Sequence, residues 1–463
     1  MPPATPLLLR SLGLAALLVW CATAVAAQQQ PALPKAASAS AGAASDSQAA
    51  EPETWAIHGQ LTNIWQTHPA FSSSFQGPQS LDHRSAVNET TDATLYAGAA
   101  PWTGGEFWVN YEIDQGFAPS NTHGVAGYVN GEGAKVGHLT PYTRFQRVFF
   151  RQTLDLGGKS QAVDSDLNQL AGTRTEDSLI FTAGKFDVTD VFDVNKYANE
   201  PRKDFLNWAL INAGSYDYAS DAWGYTYGAS LEWAAGDWTT RAGFFDLSTT
   251  PNATALTPDL SQFQLDGELE RRFMLWDREG KLAFTVFQSH GRMGTFGDAL
   301  LFAKQTDETP NTADVRHFAT RSGISFNAEQ SLTDDIGLFA RGGIDEAGVE
   351  PYEYTDIDRT VGGGISVSGK IWSRNDDIVG LAGVTNWIGR QHIAYLAAGG
   401  LGVIIGDGAL PRPAPERIVE AYYNLAVVKE VHLTFDTQFI DNPAYNAERG
   451  PVIVVGARLH AEI

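Results

Sequence analysis

The sequence predicts an all-β protein, a transmembrane antiparallel β-barrel of about 16 strands with short periplasmic turns and long extracellular loops. Three observations predict it. Apolar and polar residues alternate with period two in sixteen separate stretches from Trp55 onward. Aromatic residues stand at the two ends of single apolar faces, as interfacial girdles require. Short connections alternate with long ones, the asymmetry of an outer-membrane barrel.

In chain order, Arg10 is the sole charge among the first 34 residues and precedes an apolar stretch from Leu12 to Val25. With Ala24-Val25-Ala26 as a small-residue cleavage site, residues 1–26 are expected to be a signal peptide. The apolar core is shorter than the ~20 residues of a spanning helix. Cleavage after Ala26 would discard Cys21, the single cysteine, and leave no thiol for a disulfide, a lipid or a metal. Residues 27–54 are rich in Ala, Ser, Gln and Pro and are expected to be a flexible segment. No comparable stretch follows, so 55–463 reads as one barrel domain.

Composition bounds the class. The 463 residues carry 32 Lys+Arg against 54 Asp+Glu, a formal charge of −22, with no basic run to follow a phosphate backbone. Nucleic acid is therefore not an expected partner. Past the N-terminus no apolar run reaches helical membrane-spanning length, yet Trp 12, Tyr 15 and Phe 24 make the chain aromatic-rich.

The strands follow from the alternation. "WAIHGQLTNIW" puts Trp55, Ile57, Leu61 and Trp65 on one face, and "YTYGASLEW" does the same with Tyr225, Tyr227, Ala229, Leu231 and Trp233. "EFWVNYEID" sets Phe107, Val109, Tyr111 and Ile113 against Glu106, Asn110, Glu112 and Asp114. "QFQLDGELE" and "VHLTFDTQF" alternate likewise, and weaker stretches centre near residues 94, 148, 180, 242, 284, 323, 340, 365, 382 and 420. Segments 55–65, 225–233 and 453–463 match the roughly 9–11 residues of a spanning strand. The stretch "VIVVGARLHAEI" has one apolar and one polar row, and an open edge there would invite aggregation. Its expected partner is the first strand, which closes the sheet. "AAGDW" at 234–238 reads as a short hairpin about a glycine, whereas about 117–141, 156–177, 187–222 and 298–315 read as long loops. "VGGGISVSG" at 361–369 lacks phosphate-loop spacing and fits a strand with a closely packed neighbour. A barrel of this size is expected to leave a water-filled lumen.

Several stretches resemble a known family. "HGQLTNIWQTHPAF", "GPQSL", "WVNYEIDQGFAPSNTHGVAGYVNGEGAKVG", "RVFFRQTLDLGG", "AGKFDVTDVFDVNKYANEPRKDFLNWALINAG", "DAWGYTYG" and "NPAYNAERGPVIVVGARLHAEI" are similar to the carbohydrate-selective porins of the OprB family. The likeness runs from about Trp55 to Ile463, and "GKFDVTDVFDVN" with "FLNWALI" at 184–211 is its most specific part. It implies passive diffusion of mono- or small oligosaccharides through a polar lumen in the Gram-negative outer membrane. It further implies contact with outer-membrane lipid, recognition of the last strand by the barrel-assembly machinery, and a monomer or homotrimer. Ile463 stands where an outer-membrane barrel usually carries an aromatic residue, typically Phe.

Sugar selectivity needs side chains that replace lost water, with binding weak enough for release. Glu106, Asn110, Glu112 and Asp114 share an expected lumen face, and Arg147 and Arg151 flank Phe149. Lys185 lies in the block that resembles the family's basic lumen position. Asp187, Asp193, Asn195, Arg202 and Asp204, with Trp208, lie on a long connection able to fold inward. The expectation is that Arg147, Arg151 and Lys185 face acids of this set across an eyelet; the alternative is an ion-pair lattice that stiffens the wall. No cofactor and no metal site is expected, and Glu353, Asp356 and Asp358 read as a solvated acidic loop, with calcium as the alternative. No Gly-x-Ser-x-Gly, P-loop or His-Glu-x-x-His occurs, and His58, His432 and His460 read as wetted lumen residues, so no enzyme is expected. A general or cation-preferring porin is the alternative function; a barrel lipid hydrolase and a plugged adhesion barrel stand further off.

Overall fold

The computed structural model describes residues 52–133, 137–257, 259–353 and 355–463. The expected signal peptide and nearly all of segment 27–54 therefore lie outside the described residues. Sixteen antiparallel strands close into one barrel: β1 (Trp55–His68), β2 (Ala86–Trp102), β3 (Gly105–Phe117), β4 (His138–Val163), β5 (Gly172–Phe186), β6 (Thr226–Ala235), β7 (Trp238–Asp246), β8 (Phe263–Leu275), β9 (Arg278–Met293), β10 (His317–Ser331), β11 (Ile336–Asp345), β12 (Arg359–Ser368), β13 (Ile378–Trp387), β14 (Glu416–Val428), β15 (Val431–Asp441) and β16 (Val452–Glu462). Each of the sixteen alternating stretches falls on one of them, within one residue at either end. No helix among the described residues is long and apolar enough to cross a membrane.

Closure falls where an unpaired edge would otherwise have been. β1 and β16 pair from Gln60↔Glu462 to Thr67↔Val455, and Gly59 and Ile463 exchange backbone hydrogen bonds of 3.0 and 2.9 Å. Alternation then sorts the two faces. On β13, Leu381 is half-exposed on the outer wall while Ala382 and Val384 are buried inside. Gly364 on β12 allows the close packing expected of its glycine run: a Cβ there would sit 2.6 Å from that of Ala382.

Turns of two residues at 103–104, 236–237, 276–277 and 429–430 lie on one side, with Gly236 at φ +57 in the expected hairpin. Long connections lie on the other, and two carry helices, α2 (Phe296–Thr306) and α3 (Arg390–Ala397), while α1 (Trp208–Ile211) lies on the connection 187–225. Two expectations are corrected. Segment 156–177 is on the short-turn side and is mostly a β4–β5 ribbon rather than an extracellular loop. Tyr225 precedes β6 and is buried beneath Arg147, so Tyr227, 53% exposed, takes the girdle position.

The lumen is also not the open cylinder that strand number suggests. Connection 187–225 runs through it, and Phe192, Phe205, Trp208, Leu210, Ile211 and Tyr216 join one buried apolar cluster with inward wall residues such as Phe245 and Phe339. The acidic residues Glu353, Asp356 and Asp358 are equally buried, with no exposed surface. Asp356 accepts from the N–H groups of Val403, Ile404 and Ile405, and Asp358 from Gly389. It is not a solvated loop, because these carboxylates are the acceptors that let neighbouring loops pack.

The sorting of faces makes a prediction. Leu381→Arg puts a charge on the outer wall and is expected to lower stability in lipid vesicles by about 2–4 kcal/mol, read from urea transitions followed by gel mobility. An unchanged midpoint would mean that this row does not meet hydrocarbon.

Candidate functional site

Local strand geometry places the site. In "TRFQRVFFR" on β4 simple alternation would turn Arg144 and Arg147 to opposite faces. The register, however, shifts between Asn110↔Arg147 and Tyr111↔Phe145, which makes Gln146 the extra residue of a bulge. Arg144, Arg147 and Arg151 consequently line up on the inner wall.

Each of the three guanidinium groups is backed by an aromatic ring. The Arg144 guanidinium carbon lies 3.5 Å from the Trp223 ring centre, that of Arg147 4.9 Å from Tyr225, and that of Arg151 5.2 Å from Phe149. Each is also held by a partner. Arg147 donates to both Asp190 oxygens at 2.6 and 2.7 Å, Arg144 lies 3.0 Å from Asp221, and Arg151 lies 3.7 Å from Glu106 and donates to the Asn168 carbonyl at 2.8 Å. Their side chains keep 28, 12 and 25% exposure. A ring behind and an acid beside hold each planar donor fork partly exposed on the inner wall, a shape suited to hydroxyl oxygens.

A second cluster centres on Arg202 from the inserted connection. Its guanidinium lies 2.6 Å from Glu132, 3.4 Å from both Asp92 and Glu112, and 3.6 Å from Glu200. Glu112 also accepts from Thr94 and Gln146 at 2.6 and 2.9 Å. Burial pushes the Glu132 carboxyl up, against the pull of Arg202. The cavity beside Asp92, Asp114 and Glu132 measures about 20 Å³, room for roughly one water and not for a sugar.

The expected site residues therefore divide. Glu106, Arg147 and Arg151 stand on the partly exposed row, and Asp187 lies beside it, accepting from Thr189 in a capping box with Asp190. Glu112, Asp114 and Arg202 belong to the acidic cluster, and Asn110 is fully buried opposite Arg147. Asp193 receives Arg341, Asn327 and the Ala213 N–H at 3.1, 2.8 and 2.7 Å, and Asn195 bonds Asn327 at 2.6 Å. Asp204 accepts from the N–H groups of Asn199 and Glu200 at 3.0 and 3.1 Å, and burial raises its carboxyl. Trp208 stacks on Tyr128 at 5.3 Å. These last residues fasten the inserted chain. Lys185 pairs in register with the outer-wall residues Val148 and Tyr227, and its ammonium turns to Asp221 at 3.2 Å rather than to any acid of the expected set. Arg144, Asp190, Trp223 and Tyr225 are site residues that alternation alone misses; the bulge hides the first, and the others lie on an irregular connection.

The sequence model of the family described as Carbohydrate-selective porin, OprB family, matches residues 79–462. None of the curated proteins compared matches this chain in sequence. In structure the chain is similar to the high-pH structure of Pseudomonas putida OprB, at 14% identity and a TM-score of 0.68, over 89% of this chain and 94% of that one. It is also similar to the low-pH structure of the same protein, at 10% identity and TM-score 0.49 over 89 and 93%. The outer membrane channel DcaP of Acinetobacter baumannii, at 10% identity, has TM-score 0.49 over 88 and 97%.

Two predictions follow from the charges. Arg202→Gln strands buried carboxylates without their cation and is expected to cost about 3–5 kcal/mol, measured by urea unfolding; adding Glu132→Gln should recover part of the loss. Burial, and then Asp190, raises the Asp187 carboxyl to about 7 despite Arg147. Because the raised value means that the folded state holds the proton more tightly, its stabilising contribution is complete below the ordinary range near 3.8 and is lost as pH rises through about 7. The same titration adds negative charge beside the row, so cation preference from reversal potentials should rise between about pH 6 and 8, and Asp187→Asn should abolish that change.

Proposed function

The chain belongs to the OprB family of carbohydrate-selective porins and is a protein of the Gram-negative outer membrane, and from that premise we propose that its sugar path runs along the inner face of β4, past Arg144, Arg147 and Arg151. The observation that carries this reading is the row itself, three forked donors each backed by a ring and partly exposed beside an acid partner. A neutral sugar entering the row loses water and gains charge-assisted hydrogen bonds from guanidinium edges, while Asp190 and Glu106 supply acceptors for its hydroxyl protons. Each contact is shared with a protein partner already in place, so binding stays weak and release fast. The acidic cluster about Arg202 lies outside this path and acts as an anchor for the inserted connection.

On this reading the protein is a passive channel and not a catalyst. Its outer wall meets outer-membrane lipid, its closing strand is the segment presented to the barrel-assembly machinery, and each barrel, alone or in a homotrimer, has its own passage. Single-channel recording in a planar bilayer tests the path: millimolar glucose or a disaccharide should reduce the ion current. Arg147→Ala should raise the half-blocking concentration roughly tenfold, about the value of one hydrogen bond to a charged group, with Tyr225→Ala acting in the same direction. Steady current untouched by sugar would leave a general porin and remove the row from the path.

A further inference from the structure

Resting on the porin reading, we propose that the far end of the β4–β5 ribbon is an exit gate over the periplasmic mouth, hinged at Gly157–Gly158 and latched by Arg151 and Glu53. β3 begins at Gly105, opposite Gln152, and β6 pairs with β5 only as far as Ser178↔Ala234. Beyond those points the ribbon has no flanking strand, yet β4 continues to Val163 and β5 starts at Gly172. The pairing shifts register on both sides of Gly157, and Gly157 and Gly158 have φ of +138 and +86. These are conformations that favour glycine, and a Cβ built at Gly157 meets nothing within 4 Å. The hinge is open on the Gly157 side, packs against Glu176 at Gly158 and is spanned by bonds between Asp155, Gly157 and Thr175.

The ribbon does not project into the periplasm. Residues 154–162 are largely exposed, whereas Leu170 and Ala171 at its tip are buried, 5 and 8%. Leu170 joins the apolar cluster that contains the inner-wall residues Ala56 and Trp108. The tip is thus folded back across the turn side of the barrel. Two polar latches hold it: Arg151 donates to the Asn168 carbonyl at 2.8 Å, and Glu53 and Ala171 are joined by an N–H to carbonyl bond of 2.9 Å and an N–H to carboxylate bond of 2.8 Å.

The latch and the path share a donor. A sugar hydroxyl that reaches Arg151 competes with the Asn168 carbonyl for the same guanidinium N–H, so an arriving solute loosens the gate that blocks its exit. The exposed stretch between the rim and the buried tip, which has no flanking strands, belongs to the easily opened part of a fold.

The test uses the full chain in a Cys21→Ser background, with folding checked by heat-modifiable gel mobility. Glu53→Cys with Ala171→Cys should, when oxidised, lower single-channel conductance at least about twofold relative to the same protein reduced. Replacing residues 157–176 by Asn-Gly should raise conductance by a similar factor, and it provides an independent measurement if the disulfide pair does not fold. Equal conductance in the oxidised, reduced and shortened proteins, with sugar block intact, would overturn the gate and leave the porin. No current from any folded variant, the shortened one included, would overturn both. Current from the shortened protein alone would support a gate that is closed at rest.

Discussion

A long chain segment inside a barrel must have its backbone N–H and C=O groups partnered, and the rest of this structure depends on how that is done. Connection 187–225 crosses a lumen walled by strands whose own backbone is already paired within the sheet, so apart from its internal turns and backbone bonds to Tyr128 and Gly131, the wall can meet it only with side chains. The wall provides them. Glu420 accepts from the N–H groups of Leu206 and Asn207, Glu268 from Asp193, and Gln264 from Ala219. Arg341 donates to the carbonyls of Asp193, Ala198 and Leu210, and Arg458 to those of Pro201, Lys203 and Asp204.

This recasts the chain's acidity. A net charge of −22 would ordinarily suggest a strong field acting on ions. Much of it is instead internal: Glu416 holds the N–H groups of Ala126, Gly127 and Ala444, and Asp217 those of Tyr352 and Glu353. One carboxylate can accept from several N–H groups, which makes Asp and Glu economical anchors for irregular chain. Arg321, without exposed surface, lies among Asp217, Asp345 and Asp358 and ties three such anchors together.

The inserted chain fills part of the lumen, and inward polar side chains stay partly exposed on β4, at 12–28%, and on β6, β7, β9 and β10, at 12–22%. The inserted chain covers the inner faces of the later strands, and β4 retains the partly exposed arginines. The bulge at Gln146 matters because it moves Arg144 into the row without breaking the sheet. The same strand then continues past the barrel rim and carries the chain that folds back over the exit. On the proposed reading, path and exit are thus aligned along one strand, and local changes in its register change both.

The sequence by itself determined the barrel: the strand number, the two faces, the closure of β16 on β1 and the sides of most connections. Those features follow from alternation and turn chemistry, which act between neighbours in the chain and are written in it. The site was legible in part. Arg147, Arg151 and Glu106 lie on the inner wall as expected, and Lys185, beside the kink at Gly184, reaches the row through Asp221 and Tyr225, residues outside the expected set. Asp193, Asp204 and Trp208 lie on a connection expected to be able to fold inward, but what they fasten depends on residues far away in the chain, Asn327 and Arg341 for Asp193, Arg458 for the Asp204 carbonyl and Tyr128 for Trp208. Only the tertiary structure decided which polar wall residues remain open to a solute, because that depends on which of them the inserted backbone has already engaged.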